Sequence, residues 1–207
     1  MPSETEYPGK STRENILEAA IDLFSEKGFD AVSVREITRK VGIRESSLYN
    51  HFRSKDELLD VIFETFKTEF GKVILDEKMI QEDLSGMDPE IYLQHHLLTL
   101  RDRITPAMQR IWKIVYMEQF RDKRARDFVI REIIGRPAAF YAKVFTAMAE
   151  KGVIKPMDPQ LLSDEYNYAL LAFSLERMLL ETDKEDVTPT IRRMFAHIKF
   201  FCEAVRK

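Results

Sequence analysis

Apolar residues recur along this chain at three- and four-residue intervals, with polar residues between them. Ile16, Ala19, Ala20, Leu23 and Phe24 share one face of a first helix, because a 3.6-residue period brings such positions onto one stripe. Val34, Ile37 and Val41 mark a second, shorter face, and Leu48 with Phe52 a third at i, i+4. Near the far end, Ile191, Met194, Phe195, Ile198, Phe201, Cys202 and Val205 form a single stripe. The helix before it, from Pro159 to Glu181, contains a wholly apolar run from Ala169 to Phe173. A helix apolar nearly all round needs burial on two sides. Strand-like alternation is nearly absent, so the pattern predicts an all-α protein.

Helix punctuation agrees. Ser11 with Glu14, Ser33 with Glu36 and Ser54 with Glu57 each form a Ser-x-x-Glu capping box ahead of an apolar pattern, in which serine and glutamate satisfy each other's orphan backbone donors. Asp88-Pro89, Thr105-Pro106, Asp158-Pro159 and Thr188-Pro189 predict four later starts, a capping side chain followed by proline at the first helical position. Gly28 and Gly152 read as left-handed helix stops. Gly135-Arg136-Pro137 should kink or split the helical segment from about 123 to 151, since proline removes a hydrogen bond and crowds the preceding turn.

These signals divide the chain into a tail over residues 1–10, a helix-turn-helix domain over 11–55, a connecting helix over 54–75 and a larger helical domain over 76–207. The polar stretch from 76 to 88 reads as the hinge. The N-terminus is polar and acidic, unlike a signal or transit peptide. There is no uninterrupted apolar run of about 18 residues, so no membrane span is expected. The single cysteine, Cys202, cannot form an intrachain disulfide, which fits a cytoplasmic location.

The segment from Val34 to Phe52 carries the functional signal. Gly42 supplies a tight turn between two short helices, the unit that sets its second helix in a DNA major groove. Between Ser33 and Lys55 lie Arg35, Arg39, Lys40, Arg44, Arg53 and Lys55, opposed by Glu36 and Glu45. Six basic against two acidic residues give +4 there, and −7 for the rest of a chain whose net charge is −3. A basic segment on an acidic body can hold a phosphate backbone. Tyr49 and His51 cannot both share the buried face of Leu48, so at least one points outward, and both suit phosphate oxygens. Lys55, at the start of the next helix, can converge on a phosphate with that helix's own N–H groups.

At these residues the chain resembles the N-terminal domain of the TetR family of transcriptional regulators. The likeness runs through Thr12–Ala20, Phe24–Phe29, Val34–Val41, Ser47–Phe52 and Ser54–Leu59, roughly a quarter of the chain. It implies that Arg35, Arg44, Glu45, Ser46 and Ser47 stand nearest base edges, and that Ser33, Tyr49, Asn50, His51 and Lys55 contact phosphates. Arginine suits guanine O6 and N7, while Glu45 is better explained as stabilising its helix N-terminus. Arg44 stands where many members of the family carry a small capping residue.

The resemblance further implies a homodimer whose last two helices pair with their copies, through Phe173, Ile191, Met194, Phe195, Ile198 and Phe201. Two-fold symmetry suits half-sites one DNA turn apart. It implies an effector domain too, taking an unidentified and largely apolar small molecule that releases a repressor from palindromic operator DNA. Trp112, Tyr116, Phe120, Phe145 and Tyr166 are the candidate lining. No phosphate loop, nucleophile elbow or zinc motif is present, and adjacent His95 and His96 project from different helix faces. The chain therefore offers no catalytic residues, metal site or cofactor site. The rival reading is a helical interaction protein without DNA binding, which leaves the basic helix-turn-helix unexplained.

Overall fold

The computed structural model describes residues 9–74 and 87–207. Among the described residues the architecture is all-α, with one isolated antiparallel bridge between Ile154 and Arg206. The helices are α1 (Thr12–Lys27), α2 (Val34–Val41), α3 (Glu45–Tyr49), α4 (Lys55–Ile74), α5 (Pro89–Arg103), α6 (Pro106–Glu118), α7 (Lys123–Phe128), α8 (Arg136–Glu150), α9 (Pro159–Thr182) and α10 (Thr188–Val205). Among them, none is long and apolar enough to cross a membrane.

The capping signals place most of these starts. Ser11 and Ser33 form complete capping boxes with Glu14 and Glu36. Asp88, Thr105 and Asp158 accept from first-turn N–H groups of α5, α6 and α9. Two sites differ from the sequence reading. At Ser54 the hydroxyl accepts from Glu57 N, but the Glu57 carboxylate takes the Arg53 N–H at 2.6 Å. Thr188 is not the cap of α10; it is the first helical residue, and its own N–H donates to Asp186 at 2.9 Å.

The chain forms two compact units. The first comprises residues 1–70 and 105–129, the second residues 71–104 and 130–207. The sequence reading placed everything after residue 76 in one domain, whereas α6 and α7 belong with α1–α4. The cause is visible on α6, whose buried stripe of Met108, Ile111, Ile114, Val115 and Glu118 meets α1. The expected hinge at 76–88 lies, but for Met87 and Asp88, outside the described residues, as do residues 1–8 of the tail.

In the first unit, Ile16, Ala19, Ala20, Phe24, Ile37, Leu48, Leu58 and Phe66 are wholly buried. Phe66 also stacks on Phe70 and Phe128. Arg110 reaches Glu18 at 2.5 Å and Asp22 at 3.1 Å, and Lys40 also meets Asp22. Arg124 is shared among Asp56, Asp60 and Asp122.

In the second unit α8, α9 and α10 pack around Tyr141, Phe145, Tyr166, Ile198, Phe201 and Cys202. Burial pushes the Cys202 thiol up to about 12, consistent with an inert core thiol. The expected break at Gly135-Arg136-Pro137 takes the form of a π-helical segment, Val129–Gly135. Widening the helix there relieves the clash a proline ring makes with the turn before it. Nearby carbonyls find side-chain donors on α9: Ser163 Oγ to Ala138 O at 2.6 Å, and Asn167 Nδ2 to Ile134 O at 3.4 Å.

Candidate nucleic-acid interface

α2 begins where Ser33 accepts from Glu36 N, and Glu36 returns its carboxylate to the Ser33 N–H at 2.9 Å. That backbone hydrogen bond, then Lys27 and the Ser33 hydroxyl, pull the Glu36 carboxyl down to about 2. The helix buries Ile37 and Val41 and ends at Gly42, with φ 77° and ψ 27°. This left-handed conformation is cheap only for glycine. It lets Gly42 N and Ile43 N donate back into α2 and turns the chain sharply into α3.

Arg44 is the N-cap of α3 and makes no side-chain cap hydrogen bond, so its guanidinium is not spent on its own helix. Leu48 and Phe52 are 0% and 1% exposed, and they anchor α3 from beneath. The Arg13 guanidinium lies 4.8 Å from the centre of the Phe52 ring. With the apolar face held inward, Arg44, Glu45, Ser46, Tyr49, Asn50 and His51 are all exposed, and Ser47 is half-buried. Tyr49 and His51 thus both point outward.

A concave surface joins the start of α2 to the start of α3. It brings together Ser33, Arg35, Arg44, Glu45 and Ser46 of the residues expected to meet DNA, along with Arg39. Glu36 lies on the same surface, but its carboxylate is committed to Ser33 and Lys27. The sequence reading left Arg39 out of the site. Its spacing of four from Arg35, on one face of a helix, was the signal that could have found it. Beyond this concavity lie Ser47 and Tyr49 on α3, and Asn50 and His51 in the turn that follows it.

Lys55 differs most from expectation. Its ammonium donates to Phe29 O at 2.8 Å and Val32 O at 2.9 Å, and sits 4.2 Å from the centre of the Phe29 ring. Two of its three donors therefore fasten the α1–α2 loop, so its first role is to position the helix-turn-helix. The loop has a second fastening that sequence reasoning missed. Glu118, 5% exposed at the end of α6, accepts the Phe29 N–H at 2.9 Å. Gly28, just before, has φ 83° and ψ 159°. This positive-φ stop is extended in ψ, unlike the left-handed one expected.

The effector and dimer candidates fare differently. Phe120, which follows the last turn of α6, is 86% exposed. Trp112 and Tyr116 are half-buried in the first unit, with Trp112 edge-on to Phe70. Phe145 and Tyr166 are core residues of the second unit, packed on each other and on Phe201. Of the expected interface, Met194, Ile198 and Phe201 are buried inside their own unit and are unavailable to a partner. Phe173, Ile191 and Phe195 are half-buried.

Residues 16–62 match the description "Bacterial regulatory proteins, tetR family". The transcriptional regulator YerO of Bacillus subtilis is 27% identical over 184 residues, covering 80% of this chain and 63% of that protein. AcrR of Shigella flexneri, an HTH-type transcriptional regulator, is 32% identical over 112 residues, covering 54% of this chain and 50% of AcrR. The repressor KstR2 of Rhodococcus jostii is 41% identical over 73 residues, covering 34% of this chain and 36% of KstR2. The chain thus spans less than two thirds of each of these relatives. Among solved structures, a TetR-family regulator from Mesorhizobium loti superposes with a TM-score of 0.69 at 19% identity, covering 95% of this chain and 97% of that one. A SmeT–triclosan complex superposes with a TM-score of 0.66 at 18% identity, covering 96% of this chain and 93% of that one. At such identities the structural likeness speaks for the fold.

Proposed function

We propose, from the match of residues 16–62 to bacterial regulatory proteins of the tetR family and the likeness to AcrR, that this chain is a TetR-family transcriptional repressor that binds operator DNA as a homodimer and is released by a small molecule. One observation carries the DNA-binding part. Leu48 on α3 and Phe52 just after it are buried, Arg44 and Ser46 face solvent beside Arg35 and Arg39, and Tyr49 and His51 face solvent beyond them. In this reading Arg35, Arg39, Arg44, Ser46 and Ser47 meet base edges, and Tyr49, Asn50, His51 and Ser33 hold phosphates. Lys55 adds charge while it holds the loop.

Two-fold pairing draws on a stripe that no residue of this chain covers in the described structure. Leu161, Tyr168, Leu175 and Leu179 are exposed along α9, at spacings of seven, seven and four, and Phe200 is 70% exposed on α10. Such a row of large apolar side chains suits helix-on-helix burial against a copy of itself. An effector in the second unit would meet an aromatic interior, with the Tyr141 hydroxyl 3.4 Å from His96 Nδ1 as a polar feature. Release follows if the effector binds the DNA-incompetent arrangement more tightly than the competent one.

The test is selection of genomic fragments by the purified full-length protein. The reading expects enrichment of a two-fold-symmetric site with half-sites about one helical turn apart. Recovery of fragments without a shared sequence would count against it.

A further inference from the structure

We propose, resting on the DNA-binding reading above, that each operator half-site presents a G·C-rich core whose guanines are read by Arg35, Arg39 and Arg44. Arg35 and Arg39 share a face of α2, one helical turn apart. Gly42, at φ 77°, then turns the chain so that Arg44 opens α3 on the same concave surface. All three arginines are exposed. Among the described residues, none of the three guanidiniums makes an ion pair or a hydrogen bond. The two carboxylates on that surface leave them so. Glu36 is held by Ser33 and Lys27, and Glu45, in the first turn of α3, pairs with none of the three.

Three uncommitted guanidiniums in one concavity specify the base edge that completes them. In the major groove guanine offers two adjacent acceptors, O6 and N7, which match the arginine fork. Adenine sets an acceptor beside a donor and suits asparagine or glutamine, and the lining of this concavity holds neither. Thymine offers one acceptor and a methyl group. The apolar groups that could meet that methyl are withdrawn: Ile43 is half-buried at the turn, and Thr38 is 2% exposed with its hydroxyl on Arg35 O at 3.2 Å. Ser46 accepts any base, so the arginines set the preference.

Selection from randomised duplexes by the purified full-length protein defines the site, and 7-deazaguanine then probes it. That base pairs normally but lacks the N7 acceptor. The expected site is two-fold symmetric, with conserved guanines, on either strand, at two or more positions of each half. Replacing one such guanine by 7-deazaguanine should weaken binding at least about fivefold. Arg35→Lys, Arg39→Lys and Arg44→Lys keep the charge that a phosphate needs but lose the planar fork. Each should abolish the 7-deazaguanine penalty at its own position and leave the others in place. A symmetric site with conserved guanines at fewer than two positions per half would overturn the proposal while the repressor reading stands. Duplexes without a shared sequence would overturn both. Penalties undiminished in all three lysine variants would assign these arginines to phosphates and overturn the proposal alone.

Discussion

Glu118 occupies a position that helix electrostatics disfavour, a carboxylate at the C-terminal end of α6, where the macrodipole is negative. It is nearly fully buried and accepts the Phe29 N–H at 2.9 Å. The tertiary contact must therefore outweigh the local cost. Glu118→Ala removes a hydrogen bond to a charged acceptor, worth about 1.5–3 kcal/mol, and one buried methylene, worth about 0.8 kcal/mol. Relief of the dipole returns about 0.3–1 kcal/mol. The net loss should be about 1.5–3.5 kcal/mol, a large share of the ~5–15 kcal/mol that holds a typical domain. Glu118→Gln keeps an acceptor of the same shape and should lose about 1 kcal/mol. Urea unfolding monitored at Trp112 measures both, and hydrogen exchange at the Phe29 amide localises the effect. If the alanine variant unfolds within about 0.5 kcal/mol of the unaltered protein, the loop is not held from α6 and the reasoning fails.

Three other outcomes follow from the same contacts. Lys55→Ala should cost about 2 kcal/mol of stability, for two carbonyl hydrogen bonds and the contact with the Phe29 ring, measured by the same urea titration; no loss would leave Lys55 as a phosphate contact alone. Glu36 has a folded-state carboxyl depressed to about 2 from 4.5. Its contribution is therefore complete above pH 4.5 and lost as pH falls toward 2, and Glu36→Gln should flatten the melting temperature across that window. Leu175→Glu, in the exposed stripe of α9, should convert a dimer to a folded monomer in sedimentation, because a carboxylate would be buried without a partner.

Much of the first unit was legible because its signals are local. Ser11, Ser33 and Gly42 act within a few residues of themselves, and Leu48 with Phe52 declare the buried face of α3. The loop-fastening contacts of Lys55 were not legible because Phe29 O and Val32 O lie more than twenty residues upstream, beyond any spacing rule. Glu118 left a readable trace, a carboxylate in register with Met108, Ile111, Ile114 and Val115, and a charge on an apolar stripe asks for a partner. The α9–α10 pair failed differently. Core and interface stripes share one periodicity, so Ile198 and Phe201 looked as available as Leu175, and only packing separates them. Thr188 failed as a cap because the helix begins one residue earlier than the Thr-Pro step suggests: Val187 is the N-cap, and Asp186 accepts the N–H of Thr188.

On the proposed reading, Arg44, Ser46 and Ser47 at the start of α3 read sequence, while Tyr49, Asn50 and His51 at its end hold the backbone. Fluorescence anisotropy with the selected site and a scrambled duplex, at matched salt, tests it using Arg44→Ala and Tyr49→Phe. Arg44→Ala should lose about 1–3 kcal/mol on the selected site and little on the scrambled one. Tyr49→Phe should weaken both alike. Equal losses on both duplexes for Arg44→Ala, or no preference for the selected site by the unaltered protein, would contradict the account.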